Sequence, residues 1–363
     1  MCQMRRGDGT CTEGNGETPL RGYLPTVLST SVIVPTYDRP MTLDRTLRAL
    51  RSMEFPADRL ELVVVDSGTS NNDTKRVAAA NGAVYRRRPN DGVAAARNHG
   101  ARLASNELLL FVDDDIVVGP SNVRQHQAIH LSNEPCLASG RWEFDPELRR
   151  TLEQSALGRY RLAYEDLYNR PTGVERGLTT GQVRASTLAA SNLSVRANLF
   201  WSLGGFDERF PVGAEDQDLA WRAAKAGCAL VYDFDIRVIH NDQHSDLNAL
   251  CRRLERGATG TVYFTRKHPD APCTEMLIVN GPVRRGDSIQ TVLRKLSRDL
   301  LSRRVPLAIA HRVVAAVELA RPNGGWPLQF LYRAVGGLHV FRGVRRGLRL
   351  TSRDKWERAH QAV

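Results

Sequence analysis

Leu108-Leu109-Leu110-Phe111-Val112-Asp113-Asp114-Asp115-Ile116-Val117-Val118 sets three carboxylates between two apolar runs. The run before the acids is short, continuous and apolar, the pattern of a strand covered on both faces. Like charges this close repel, and holding them beside a core is costly. A divalent cation removes that cost. Mg²⁺ and Mn²⁺ prefer carboxylate oxygen and are commonly held by one or two carboxylates together with substrate phosphates. A solvated acidic loop is the alternative, and the position of the run within the chain weighs between them.

Upstream, Ser31-Val32-Ile33-Val34-Pro35 reads as a buried strand, and Leu43, Leu47 and Leu50 recur at helical spacing. Leu60 to Val65 is a second strand, ended by Asp66-Ser67-Gly68. Thr74 to Ala80 is helical, Ala83 to Tyr85 a third strand, and Val93 to Ala104 an alanine-rich helix. Leu108 to Val112 is then the fourth strand of a βαβαβαβ series. Such a series predicts an α/β fold: a Rossmann-like, mostly parallel sheet with helices on both faces. Ligands of such sheets bind beyond the carboxyl ends of the strands. Thr36, Asp38, Asp66 and the three aspartates all lie at those ends.

Downstream the pattern loosens. Glu147 to Tyr168 reads as a helical stretch, Pro171 to Arg184 as a loop and Asp216 to Ala226 as a helix. Ala229 to Tyr232 and Ile236 to Ile239 read as two short strands. Beyond Ser288, residues Ile289, Val292, Leu293, Leu296 and Leu300 share one helix face. The expected organisation is a flexible tail over 1–28, a catalytic domain over 29–270 and a helical, basic region over 271–363. Within the domain, 29–118 is the nucleotide-binding half and 119–270 the acceptor-binding half.

The 363 residues are 42% hydrophobic and 25% charged, ordinary for a globular protein. The formal net charge of +11 suits a polyanionic partner, and the arginines crowd beyond Arg284, away from the acidic motifs. That tail is expected either to dock on an anionic membrane surface or to show solvated faces of helices packed on the domain. Six cysteines contain no C-x-x-C pair, so the local signature of a structural zinc site is missing and reduced thiols are expected. No apolar run approaches the roughly 18 residues of a membrane span, and no signal peptide is evident, so the expected location is cytoplasmic, or peripheral at the inner membrane face. Trp201 and Trp221 are expected in the core.

Five segments in order now resemble the landmarks of the family 2 glycosyltransferases, which have the GT-A fold. They are Val32 to Arg39, Val63 to Thr69, Ala96 to Gly100, Phe111 to Asp115, and Gly204 to Phe210 with Gly213 to Leu219 and Arg222. The resemblance implies a nucleoside-diphosphate sugar donor, with a UDP-sugar expected, an acceptor hydroxyl, and Mn²⁺ or Mg²⁺. It implies that Pro35, Thr36, Asp38, Arg39, Asp66, Arg97, Asp113 and Asp114 bind the nucleotide sugar, with Asp66 at the base and Asp113 at the ribose. It implies Asp115 and His240 as metal ligands, though a lone histidine is as readily structural. It implies Asp216 as the base that deprotonates the acceptor, with Glu215 beside it. An acidic first turn of the following helix is the other reading of that pair. Ser191 and Asn192 would face the acceptor. Asp66-Ser67-Gly68-Thr69 departs from the commoner Asp-Asp-Gly-Ser, losing only the second acid.

Rival classes fit less well. A haloacid-dehalogenase phosphohydrolase wants its Asp-x-Asp after the first strand, not the fourth. A sugar-nucleotide-binding protein without activity predicts loss of acidic landmarks that are all present. A nucleic-acid-binding module predicts interleaved arginines and aromatics on a known motif, and none is found, so nucleic acid is not an expected partner. A dinucleotide-binding dehydrogenase lacks G-x-G-x-x-G after the first strand.

Overall fold

The computed structural model describes residues 27–68, 72–132, 135–168, 175–176, 182–210, 213–241, 246–271 and 274–351. The expected 1–28 tail lies outside this set except for Val27 and Leu28. Leu28 is buried, and its carbonyl accepts a hydrogen bond from Gln127 Nε2.

The first half runs β1 (Thr30–Thr36), α1 (Pro40–Arg51), β2 (Leu60–Asp66), α2 (Asp73–Ala80), β3 (Val84–Arg87), α3 (Val93–Leu103), β4 (Leu108–Val112) and β5 (Ile116–Val118). It continues through α4 (Asn122–Ser132), β6 (Cys136–Phe144), α5 (Pro146–Glu153), α6 (Ala156–Tyr168), β7 (Glu175–Arg176), β8 (Gln182–Arg184) and β9 (Asn192–Arg196). The remainder is α7 (Ala197–Ser202), α8 (Glu215–Lys225), β10 (Ala229–His240), α9 (Leu247–Lys267), α10 (Thr274–Asn280), α11 (Ile289–Leu301), α12 (Arg304–Ala320) and α13 (Trp326–Leu350).

These strands form one sheet in the order β3-β2-β1-β4-β9-β6-β10-β8-β7, with β5 added against β10. The first four are parallel, as the βαβ series predicts. Alternation along β1, β2 and β4 feeds two apolar layers. Ile33, Val63, Val65, Leu109 and Phe111 meet α3, Phe200, Phe206 and α8. Val32, Val34, Leu62, Val64, Leu110 and Val112 meet Leu43, Leu47 and Leu50 of α1. Both faces are therefore covered, which is why these strands read as unbroken apolar runs.

The expected mostly parallel sheet is present, and β9 enters it antiparallel between β4 and β6. Elsewhere the expectations change. The two short strands expected after Ala229 are one strand, β10, with a register shift between Asp233 and Arg237. The helical stretch from Glu147 breaks into α5 and α6 at Gln154 and Ser155, and the expected loop to Arg184 contains β7 and β8. Trp201 is not core: it is 38% exposed, with the Arg102 guanidinium over its ring.

The helical region is bound to the sheet domain through α9. α13 lies along α9 so closely that a Cβ on Gly343 would stand 2.2 Å from the Glu255 carbonyl oxygen. Only glycine permits that approach. Among the described residues no helix is long and apolar enough to cross a membrane.

Candidate active site

The carboxyl ends of β1 and β4 open onto a cavity of about 830 Å³. The acidic run forms its floor. After β4 the chain turns sharply, with the Ile116 amide donating to the Asp113 carbonyl, and re-enters the sheet as β5. β5 pairs antiparallel with the end of β10, and His240 stands opposite Ile116. That register is what brings His240 to Asp115.

The three aspartates go three ways. Asp113 is the most open, at 32% side-chain exposure, and pairs with Arg97 at 2.7 Å. Asp114 turns under the loop. Its Oδ2 accepts from the Thr36 hydroxyl at 2.6 Å, its Oδ1 stands 2.7 Å from Arg39, and its carbonyl accepts from Thr46 on α1. Burial, with the neighbouring acids Asp115 and Asp113 adding to it, pushes its carboxyl up to about 7, despite Arg39 and the Thr36 hydrogen bond. Asp115 pairs with Arg39 at 2.8 Å and faces His240 Nε2 at 3.5 Å. Burial pushes its carboxyl up, but His240 and Arg39 together hold it well below the usual carboxylate range.

Across the cavity, α8 begins after Gly213 and Ala214, both left-handed, with Ala214 at φ 69°. A non-glycine residue there costs about 1 kcal/mol, and the bend delivers Glu215 and Asp216 to the helix start. Arg97 on α3 is 4% exposed and clamps two acids: Asp113 from β4, and Glu215 at 2.7 Å from α8. Burial disfavours its charge, but Asp113 and Glu215 more than compensate, so its pKa is raised. Asp216 accepts from the Gln217 amide at 2.8 Å and the Ala190 amide at 3.4 Å. Burial, then the adjacent Glu215, push its carboxyl up to about 6.

Pro35, Thr36, Arg39, Arg97, Asp113, Asp114, Asp115, Ser191, Glu215, Asp216 and His240 all line this cavity. Three of the expected site residues do not. Asp38 is exposed on the loop after β1, at φ 53°. Asp66 is wholly buried, and its carboxylate accepts from the Tyr85 hydroxyl at 2.7 Å and faces Arg87 at 3.5 Å; the neighbouring Ser67 lines the cavity instead. Asn192 alternates away from Ser191 along the chain, and its Oδ1 meets His126 Nε2 at 3.1 Å beneath the sheet. His244, four residues beyond His240, lies outside the described residues.

Several lining residues escaped the sequence reading. Trp142 sets its ring edge-on to His240, with centroids 5.0 Å apart. Arg253 and Arg256 reach the cavity from α9. Two arginines three residues apart, soon after the histidine, were the available signal. The Gly-Ala-Glu-Asp-Gln-Asp cluster also divides. Asp218 is fully buried and bonds Arg222, His268 and Lys267 within 2.9 Å, so it fastens α8 to α9.

A cation fits the Asp115–His240 pair. Their ligand atoms, 3.5 Å apart, can both reach one ion with bonds of about 2.1 Å. One carboxylate and one imidazole suit Mn²⁺ or a similar ion.

A parallel β-sheet with a cation-suited acidic turn, extended through an antiparallel strand to a second half carrying a buried carboxylate, defines the GT-A class of nucleotide-sugar folds. Residues 31–188 match the family model described as Glycosyl transferase family 2. The match covers 158 of the 363 residues. The validoxylamine A glucosyltransferase of Streptomyces hygroscopicus subsp. limoneus is 30% identical over 275 residues, 69% of this chain and 59% of that protein. The pre-mycofactocin glycosyltransferase of Mycobacterium tuberculosis is 24% identical over 305 residues, 82% of this chain and 60% of that protein. The chain thus spans about three fifths of the length of these curated relatives. In fold it is similar to a mannosyltransferase from Pyrobaculum calidifontis solved with GDP-Man and Mn²⁺, at TM-score 0.57 and 17% identity over 89% of this chain and 88% of that one. It is also similar to GalNAc-T7 with UDP, GalNAc and Mn²⁺, at TM-score 0.52 and 15% identity over 82% and 59% of the two chains.

Proposed function

We propose that this protein is an inverting glycosyltransferase that moves a sugar from a nucleoside-diphosphate sugar to an acceptor hydroxyl, assisted by Mn²⁺ or Mg²⁺. The observation that carries this reading is that one cavity is lined both by the Asp115–His240 pair and by Asp216. Ground for the diphosphate and ground for a base are thus present together. A UDP-sugar is the expected donor, and UDP-glucose is the first to test, because the relatives at 30% identity are named glucosyltransferases.

Asp113, Arg97 and Ser67 lie where the nucleoside would sit, and Asp115 with His240 would hold the cation. When bound, the cation places positive charge on the leaving diphosphate. Arg39, Arg253 and Arg256 add positive charge around the same cavity. Asp216 takes the proton of the acceptor hydroxyl as its oxygen attacks the anomeric carbon opposite the diphosphate. The new C–O bond forms as the sugar–phosphate C–O bond breaks, and the diphosphate leaves with that electron pair. A base poised near 6 is matched to such a transfer at neutral pH. Glu215, held by Arg97, keeps the helix start in place and raises the affinity of Asp216 for its proton.

Calorimetric titration with UDP, with and without Mn²⁺, tests the donor side. Binding that strengthens with Mn²⁺ and weakens in Asp115→Asn is the expected result. Tight binding indifferent to a chelator would overturn the metal-assisted reading.

We also propose that 271–363 serves as a basic extension to a catalytic region over 29–270, and that it rests on an anionic membrane surface at the cytoplasmic face. Ile289, Leu293, Leu296 and Leu300 line one side of α11 at 80%, 61%, 56% and 55% exposure. Val305 and Ile309 on α12 are exposed as well, and so are Arg294, Arg303 and Arg304. An apolar stripe flanked by arginine is the pattern of a helix lying in a lipid interface.

A further inference from the structure

Three side chains far apart in sequence converge between the helices of the C-terminal region. Cys251 comes from α9, His311 from α12 and His339 from α13, and each offers one ligand atom, all within 4.8 Å of one another. Cys251 is fully buried and His339 is 8% exposed. Around them Val314, Leu328, Tyr332 and Val335 form an apolar shell. Such a shell lowers the local dielectric and strengthens any bond to a cation inside it.

The two imidazoles meet through their Nε2 atoms at 3.1 Å, with ring planes at 84°. The other nitrogen of His339, Nδ1, stands 3.0 Å from a carboxylate oxygen of Glu255. Glu255 lies one turn beyond Cys251 on α9, and Arg342 stands 3.7 Å from the same oxygen. A carboxylate at Nδ1 keeps the ring proton there and leaves the Nε2 lone pair directed into the cluster. That is how proteins orient a histidine that ligates metal. Tetrahedral zinc, with Zn–N bonds of about 2.0–2.1 Å, holds two imidazole nitrogens a little over 3 Å apart. One thiolate and two imidazoles are a donor set zinc takes in preference to the hard ions suited to the catalytic cavity.

We propose that Cys251, His311 and His339 form a zinc site, with Glu255 positioning His339 and the fourth place left to water or another small ligand. Its role is structural. It ties α12 and α13 to α9, the helix that presents Arg253 and Arg256 to the catalytic cavity. No local motif announces it, because each ligand sits on a different helix.

Cobalt substitution of the full chain separates this site from the catalytic one. Protein produced in cobalt-supplemented medium and kept reduced should show a thiolate-to-cobalt charge-transfer band in the near ultraviolet, with intense visible bands of tetrahedral Co²⁺. The oxygen and imidazole ligands of the cavity cannot produce the thiolate band. Protein produced with zinc should carry about one tightly held equivalent, and its removal should lower the melting temperature. The charge-transfer band should vanish in Cys251→Ser and should weaken or shift in His311→Gln, whose partly exposed side chain is the safer change for folding; circular dichroism checks both. Absence of the band in the unaltered protein would overturn the proposal and leave a plain histidine–histidine hydrogen bond. A band that persists unchanged in both variants would overturn it too.

Discussion

Asp216 carries two demands that oppose each other. As the base of the proposed reaction it must be ionised, yet burial and Glu215 raise its pKa to about 6, so the folded protein resists that ionisation. Its folded pKa lies above the ordinary carboxylate value. The penalty is therefore absent below about pH 4, grows as pH rises, and is complete above about pH 6. Asp216→Asn removes the charge. It should stabilise the protein at pH 8 by on the order of 1–3 kcal/mol and give little at pH 4. Paired melting curves at the two pH values check this, and a loss of stability at pH 8 would contradict the burial account. The same substitution should lower transfer by roughly 10² or more while UDP binding stays nearly intact. In the unaltered enzyme, the transfer rate should climb as pH rises through about 6, and a rate flat between pH 5 and 7 would place the base elsewhere. The acids themselves were legible in the sequence because they stand at strand and helix ends. Their division of labour was not. Asp66 and Asn192 turn away from the cavity for reasons set by Tyr85 and His126, partners that only the assembled sheet supplies.

At the scale of elements, the strands that read most plainly are those whose two faces are both apolar. β1, β2 and β4 announce themselves as unbroken runs. β9 and β6 do not. β9 is Asn192-Leu193-Ser194-Val195-Arg196, and its polar positions are buried: Ser194 lies 2.8 Å from both His126 and His130. In sequence such a strand looks like a loop, because the hydrogen bonds that make its burial tolerable come from α4. β6 is disguised differently: Gly140 and the outward-facing ion pair of Arg141 and Glu143 interrupt its apolar run. α3 was legible as a helix, but the purpose of its Gly100 was not. A Cβ there would stand 2.4 Å from Ile33 and 3.2 Å from Val65 on the sheet beneath. Gly100→Ala should therefore destabilise the fold by about 1–3 kcal/mol through overpacking, even though alanine is the better helix former. Chemical denaturation with an unchanged slope and a lower midpoint is the expected result; a stabilised protein would show that α3 can lift off the sheet without cost.

Across the whole molecule, charge and apolarity are arranged in opposite senses at two places. The catalytic cavity gathers acids from the end of β4 and the start of α8 with arginines set among them. α11 and α12 do the reverse, showing leucine, isoleucine and valine to the outside while the arginines that give the chain its +11 charge flank them. Placing those side chains in water forgoes about 25 cal/mol for every Å² of apolar area, so a surface that covers them gains what folding left unused. The acidic cavity and the basic extension can then act together, the extension holding the enzyme where an acceptor near the membrane would be met. Leu293→Glu combined with Leu300→Glu should leave transfer to a soluble acceptor unchanged, because neither side chain lines the cavity. It should also sharply reduce sedimentation with vesicles rich in anionic lipid, and raising the salt concentration should weaken sedimentation of the unaltered protein. Sedimentation that survives both the double substitution and high salt would show that α11 faces something other than lipid.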